Sequence, residues 1–290
     1  MKPVTVSGVS KAYGKKKLIL KNIDFDVVEG TCAGLIGPNG AGKTTLIKIV
    51  AGLIQPTSGE VKVFGKNPFE DSVKSRIGYM PERPEFFEEK TVKYHLEFFA
   101  RLRGIEVDCD EILSKLDLDS SKKARELSKG MRKKLSLALA VLHDPDLLIL
   151  DEPTAGLDPQ ATVTLHEIVR EAVENGKTVL LSTHNLYEVD DLCDRVIFIN
   201  RGKLYFNGPI HELATSAVLR LQTSNNTAAI ELLRKAGVDA QVTGKWVAVN
   251  NKSDIATILD ILTRNGVDVL KMESRKNLYE VFGDLKEETG

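Results

Sequence analysis

Residues Gly37-Pro38-Asn39-Gly40-Ala41-Gly42-Lys43-Thr44 decide the fold. They match the pattern GxxxxGK followed by Ser or Thr, which carries a mechanism only when it lies between a strand and a helix. Both flanks are present. Cys32 to Ile36 is a compact apolar run of strand length, and from Thr44 to Leu53 the apolar residues Leu46, Ile47, Val50 and Leu53 recur at helical spacing. The chemistry of the loop follows from that placement. Gly40 and Gly42 let backbone N–H groups curl around a β-phosphate, the helix N-terminus turns its positive dipole end to the same anion, and Lys43 spans the β- and γ-phosphates. The Thr44 hydroxyl is placed for Mg2+, so residues 37–44 with the following Thr45 form the expected nucleotide-binding set.

Working outward, Leu147 to Leu150 reads as a buried strand that ends in Asp151 and Glu152, where α/β sheets bind their ligands. Asp151 is expected to hold Mg2+ through water, and Glu152 to act as general base on the attacking water. Upstream, Val4 and Val6 alternate with polar neighbours, as do Ile23, Phe25 and Val27, which predicts antiparallel strands before the loop. Residues 91–142 are mainly helical in pattern and read as an insertion between strands. A second buried strand, Val179 to Ser182, follows an amphipathic helix that carries Leu165, Ile168, Val169, Ala172 and Val173. Strands around 196–199 and 203–206 flank a turn at 200–202. Alternating β and α elements with continuous apolar strands predict an α/β core.

After Leu213 the pattern changes to a strand at 218–223, a helix at 226–236, a hairpin of 238–242 and 245–250 across Thr243-Gly244, a helix at 253–265 and a strand at 267–273. The order βαββαβ, with the echo between AAIELLRKAGVDAQV and ATILDILTRNGVDVL, predicts a small α+β domain of ferredoxin-like type. The expected division is 1–215, with the insertion at 83–142, and 216–290.

The composition fits a globular protein. Of 290 residues 42% are hydrophobic and 28% charged, and the formal net charge of −1 supplies no general attraction to nucleic acid or anionic lipid. Cys32, Cys109 and Cys193 show no metal-ligand spacing and read as small core residues in a reducing compartment. No apolar run approaches the length of a membrane span, so action at a membrane is expected to go through a partner.

Further motifs then fall in order. Leu127-Ser128-Lys129-Gly130-Met131, Ala155-Gly156-Leu157-Asp158 and Ser182-Thr183-His184 resemble the signature loop, the D-loop and the switch histidine of ABC transporter ATP-binding subunits, and Tyr13 stands where that family stacks an aromatic on adenine. The resemblance covers residues 2–215 and implies a P-loop ABC ATPase core using ATP and Mg2+. It implies head-to-tail pairing of two such chains, identical or similar, with Ser128 and Gly130 of one on the γ-phosphate held by Lys43 of the other. It also implies that His184 orients the attacking water, and that the chain sits on the inner face of the cell membrane through a permease.

Three departures refine this. Glu82, in Tyr79-Met80-Pro81-Glu82, replaces the usual Gln; it is expected near Mg2+ or the water but donates no amide hydrogen bond. Lys129 and Met131 replace the commonest Gly and Gln, and this form, with the tail Leu278 to Phe282, resembles the branch with separate ABC-2-type permeases, often exporters. Phe86 and Phe87 either line the permease groove or pack the insertion onto the core. The basic residues Lys122, Lys123, Arg132, Lys133 and Lys134 read as a solvated face. The alternative function is a soluble ABC-type ATPase acting on ribosomes or nucleic acid; the charge of −1 and an insertion without sustained heptads argue against it, and no nucleic-acid partner is expected.

Overall fold

The computed structural model describes residues 2–14, 17–213, 217–243, 246–250 and 255–276. The chain forms two compact units, Met1–Pro209 and Ile210–Gly290. The first begins with β1 (Val4–Tyr13), β2 (Lys17–Val27), β3 (Cys32–Ile36), α1 (Lys43–Val50), β4 (Ser58–Val63), α2 (Asp71–Lys74) and β5 (Ile77–Met80). It continues with α3 (Val92–Arg103), α4 (Cys109–Lys115), α5 (Lys129–Val141), β6 (Leu147–Asp151), α6 (Pro159–Glu174), β7 (Thr178–Thr183), α7 (Leu186–Leu192), β8 (Arg195–Asn200) and β9 (Lys203–Pro209).

Two sheets organise this unit. A six-stranded sheet runs β5-β6-β7-β3-β8-β9, parallel except for β9. All side chains of β3, β6 and β7 are buried, as expected of parallel strands covered on both faces. The alternating residues of β1 and β2 form an antiparallel sheet in the order β2-β1-β4. Its inward residues Val4, Val6, Leu20, Ile23 and Phe25 meet Leu46, Ile47 and Val50 of α1 and Ile149, Leu180 and Ile197 of the parallel sheet in one core. This core seats α1 between the two sheets, so the loop before it is anchored on both sides.

The helix expected to run to Leu53 ends at Val50, and Leu53 is 52% exposed. The chain turns out of the helix at Gly52, with φ +67, before Leu53 could complete the stripe. Strand β4, which lies in the sequence between Thr57 and Phe64, adds a third strand that the alternation of β1 and β2 alone does not reveal.

The second unit contains α8 (Ile210–Leu213), β10 (Ala217–Thr223), α9 (Asn226–Lys235), β11 (Ala240–Thr243), β12 (Trp246–Asn250), α10 (Ile255–Arg264) and β13 (Val269–Lys276). Its sheet is ordered β11-β12-β10-β13 with every neighbouring pair antiparallel. Leu219, Leu221, Leu233, Val247, Val249, Ile258 and Leu262 form its own core. The turn residue Gly244 and the tail Leu278 to Phe282 lie outside the described residues.

Candidate active site

Parallel pairing brings the predicted chemistry to one edge of the sheet. Ile36 pairs with Thr183 and Asp151 with Ser182, so the glycine-rich loop, the two acids and His184 all leave adjacent strands at their carboxyl ends. The loop needs glycine for two separate reasons. Gly40 and Gly42 take φ +81 and +110, and a Cβ at Gly37 would lie 2.1 Å from the Ile199 carbonyl oxygen. Gly42 caps α1 without a side chain. By contrast α3, α5, α6 and α7 are closed by Thr91, Ser128, Asp158 and Asn185. The first turn of α1 thus carries no side-chain cap, as a helix N-terminus that receives an anion requires.

Lys43 is buried, with its ammonium donating to Gly37 O at 2.8 Å and lying 3.2 Å from Glu152 Oε1. The other carboxylate oxygen of Glu152 is 2.8 Å from His184 Nδ1. Glu152 itself takes φ +47, strained for a residue with a Cβ, and its N–H donates to Ser182 Oγ at 3.0 Å and Ser182 O at 3.1 Å. Lys43, Glu152 and His184 are therefore one contact chain.

Asp151 is fully buried. Its Oδ1 accepts from Ser182 Oγ at 2.6 Å and Thr44 Oγ1 at 3.3 Å, while Oδ2 has no hydrogen-bond partner. Burial pushes its carboxyl above the usual range, and the Ser182 and Thr44 hydroxyls oppose that shift. A buried orphan carboxylate oxygen beside a threonine hydroxyl is a donor set that fits a hard divalent cation, which takes few protein ligands and keeps water and phosphate oxygens for the rest. Thr45 follows on the same first turn of α1, half-buried.

The remaining predicted residues lie around this centre. Tyr13, at the end of β1, is 48% exposed, with the Lys11 ammonium 5.3 Å from its ring centroid. Pro38, Asn39 and Ala41 complete the loop, where Ala41 N–H donates to Pro38 O. Glu82 is half-exposed, and its carboxylate lies 3.8 Å from Arg83 Nε. It acts on Asp151 and Tyr79 through charge rather than through a hydrogen bond. Ser128 caps α5 by accepting from Met131 N–H at 3.2 Å, and Gly130 lies beside Gly156 and Leu157. The contacts around Lys43 and Asp151 include neither Ser128 nor Gly130.

The expected solvated basic face holds at Lys122, which is exposed, and is corrected at Lys133. Lys133 is 2% exposed, and its ammonium donates to Glu152 O at 2.5 Å. Arg132 forks onto Glu88 at 2.6 and 3.1 Å. Helical periodicity turns position 133 fully inward and leaves Arg132 and Lys134 partly buried, which a run of basic residues conceals. All three cysteines are buried as expected, yet Cys32 and Cys193 lie with their sulfurs 3.8 Å apart, a proximity that no spacing in the sequence signals.

Fold and site together define a P-loop nucleotide-binding protein. A family model described as ABC transporter matches residues 20–155, and an AAA domain model matches residues 122–190. An uncharacterized ABC transporter ATP-binding protein of Methanocaldococcus jannaschii is 36% identical over 292 residues, covering 98% of this chain and 100% of the relative. The daunorubicin resistance ATP-binding protein DrrA3 of Streptomyces coeruleorubidus is 34% identical, covering 96% and 94%. The Nod factor export ATP-binding protein I of Burkholderia orbicola is 38% identical, covering 74% of each chain. Among solved structures, an ATP-binding subunit of an ABC transporter superposes with TM-score 0.67 at 32% identity, covering 72% of this chain and 91% of that one. A dimeric bacterial ABC transporter cassette superposes with TM-score 0.66 at 23% identity, covering 71% and 98%, and shares the fold. The chain belongs to the ATP-binding subunits of ABC transporters, and it is an ATPase of that family. Among the described residues no helix is long and apolar enough to cross a membrane.

Proposed function

We propose that this chain is the motor subunit of an exporter whose permease is a separate ABC-2-type membrane protein, and that it works on the inner face of the cell membrane through that permease. The observation that carries the motor reading is the contact chain Lys43–Glu152–His184 beside the orphaned Asp151 Oδ2. Thr44 and Asp151 would hold Mg2+, which when bound offsets the negative charge of the phosphates. Lys43 exchanges Glu152 for the incoming γ-phosphate, which frees the carboxylate. Glu152 takes the proton of the attacking water as the new P–O bond forms and the bond to ADP breaks, and His184 orients that water. Ser128 and Gly130 serve the site of a second, head-to-tail copy or a similar subunit. This agrees with their place outside the contacts of Lys43.

Export is supported by relatives named for drug resistance and Nod factor export. The permease site would be the groove of about 220 Å³ lined by Tyr79, Pro84, Phe86, Phe99, Leu139 and His143. Phe86 packs edge-on to His95 under Arg132, with both of the roles weighed for it compatible with that seat. Phe86→Ala should loosen permease binding and leave ATP binding intact; undiminished co-purification of the permease would remove this role. The second unit, with its β11-β12-β10-β13 order, supports a ferredoxin-like accessory module.

The test is isolation of tagged Glu152→Gln protein with ATP from its native membranes in mild detergent. A polytopic membrane protein in the complex is the expected result. Ribosomal proteins or nucleic acid in its place would overturn the transporter reading and favour the soluble alternative.

A further inference from the structure

Lys133 is a buried ammonium that hydrolysis as described above does not use. It sits on α5, five residues after Ser128, and crosses to the peptide carbonyl of Glu152 at 2.5 Å. Burying an ammonium is unfavourable unless its protons are bonded and opposite charges lie near. Burial lowers the Lys133 pKa, while Asp151, Glu82 and Glu152 oppose the shift and Lys129 adds to it. The acceptor is the informative part. A bond to a carboxylate would neutralise charge, whereas a bond to a main-chain carbonyl fixes the orientation of a peptide.

That peptide belongs to a residue whose backbone requires outside support. Glu152 holds φ +47, a conformation that persists only where the surroundings over-determine it. Ser182 secures the N–H side through Oγ and O, and Lys133 secures the carbonyl side. Between these two clamps the carboxylate reaches Lys43 and His184. Removing one clamp lets the peptide rotate and carries the carboxylate off its line.

We propose that Lys133 is a positioning residue for ATP hydrolysis, clamping the Glu152 peptide to the helix that begins at the signature serine. The proposal rests on the reading of Glu152 as general base. It also gives α5 a direct mechanical link to that base. A displacement at Ser128 travels along a continuous helix and arrives at the Glu152 carbonyl within the same chain.

The experiment compares wild type, Lys133→Met, Lys133→Arg and Glu152→Gln in ATPase kinetics, equilibrium ATP binding and amide hydrogen exchange. Lys133→Met should lower kcat by about 10- to 100-fold, the scale expected when a catalytic group is misplaced by about an ångström. KM and ATP affinity should stay within about threefold, because the phosphate loop is untouched. Amides of residues 152–158 should exchange faster while those of β3 keep their protection. Lys133→Arg, which can still donate to the carbonyl, should regain most of the lost kcat.

A Lys133→Met kcat within about twofold of wild type, or a joint fall of kcat and ATP affinity with exchange raised everywhere, overturns the proposal. If Lys133→Met does not fold, Lys133→Leu, which also lacks a donor for the Glu152 carbonyl, is held to the same outcomes. Glu152→Gln separates the two claims. Normal turnover there removes the base reading, whereas an inactive Glu152→Gln beside a fully active Lys133→Met removes only the clamp.

Discussion

Replacing Lys43 by Met removes an ammonium and keeps most of its stem. The side chains of Lys43 and Glu152 are 6% and 11% exposed and their charged atoms are 3.2 Å apart. Breaking one partner of such a buried pair costs about 3–5 kcal/mol, because the other charge stays behind without its counter-ion. Glu152 keeps the His184 contact at 2.8 Å. The lower end, about 3 kcal/mol, is therefore expected. In a unit of this size each kcal/mol moves the melting midpoint by about 2–4 °C, so calorimetry without added nucleotide should show Lys43→Met melting about 6–12 °C below wild type. The double variant Lys43→Met/Glu152→Gln leaves neither charge and should return to within about 1.5 kcal/mol of wild type. ATP should raise the midpoint of wild type by mass action and leave that of Lys43→Met unmoved. Additive losses in the double variant, or a single variant melting within about 2 °C of wild type, would refute the buried pair and the phosphate exchange built on it.

Other consequences are equally measurable. Gly37→Ala places a methyl 2.1 Å from Ile199 O, so ATP affinity should fall at least tenfold, by about 1.4 kcal/mol or more, with a lower midpoint; unchanged affinity would contradict the close packing. Leu46→Ala should cost about 2–5 kcal/mol, while Leu53→Ser should stay within about 0.5 kcal/mol, a contrast that equal denaturation midpoints would refute. His95 is held neutral, with Nδ1–H donating to Thr91 O at 2.7 Å and Nε2 accepting from Phe87 N–H at 3.0 Å. Burial lowers its pKa below the ordinary 6.5, as it does for His143. The unfolded chain then binds more protons than the folded one just below pH 6.5, so this stability is complete above that pH and lost as the pH falls. The wild-type midpoint should drop on acidification, and His95→Gln should flatten that slope; an unaltered slope would remove the assignment.

The parts of the fold that the sequence announces are those in which local pattern and tertiary burial agree. The glycine-rich loop sits between a fully apolar strand and a helix whose first two turns carry the apolar stripe, so Ile36, Lys43 and Leu46 could be placed from spacing alone. Asp151 and Glu152 are legible because they end a buried run, and His184 through the resemblance to the family; parallel register then brings the three together. Leu53 shows the limit of periodicity. The stripe continues on paper, but a turn at Gly52 carries the residue to the surface. Lys133 shows a second limit, since charge type suggests solvent while helical phase and a carbonyl acceptor bury it. The proximity of Cys32 and Cys193 depends on how α7 returns to β3, a long-range contact with no local trace.

The central claim is that Glu152 is the base of an ATP site completed by a second chain. Purified Glu152→Gln should be mixed with Mg2+ and ATP, and its bound nucleotide, mass and turnover measured together. The account predicts retained ATP, a dimer that disperses when Mg2+ is removed, and hydrolysis reduced by about 10²-fold or more. Normal turnover, or tight ATP retention by a monomer, would contradict it.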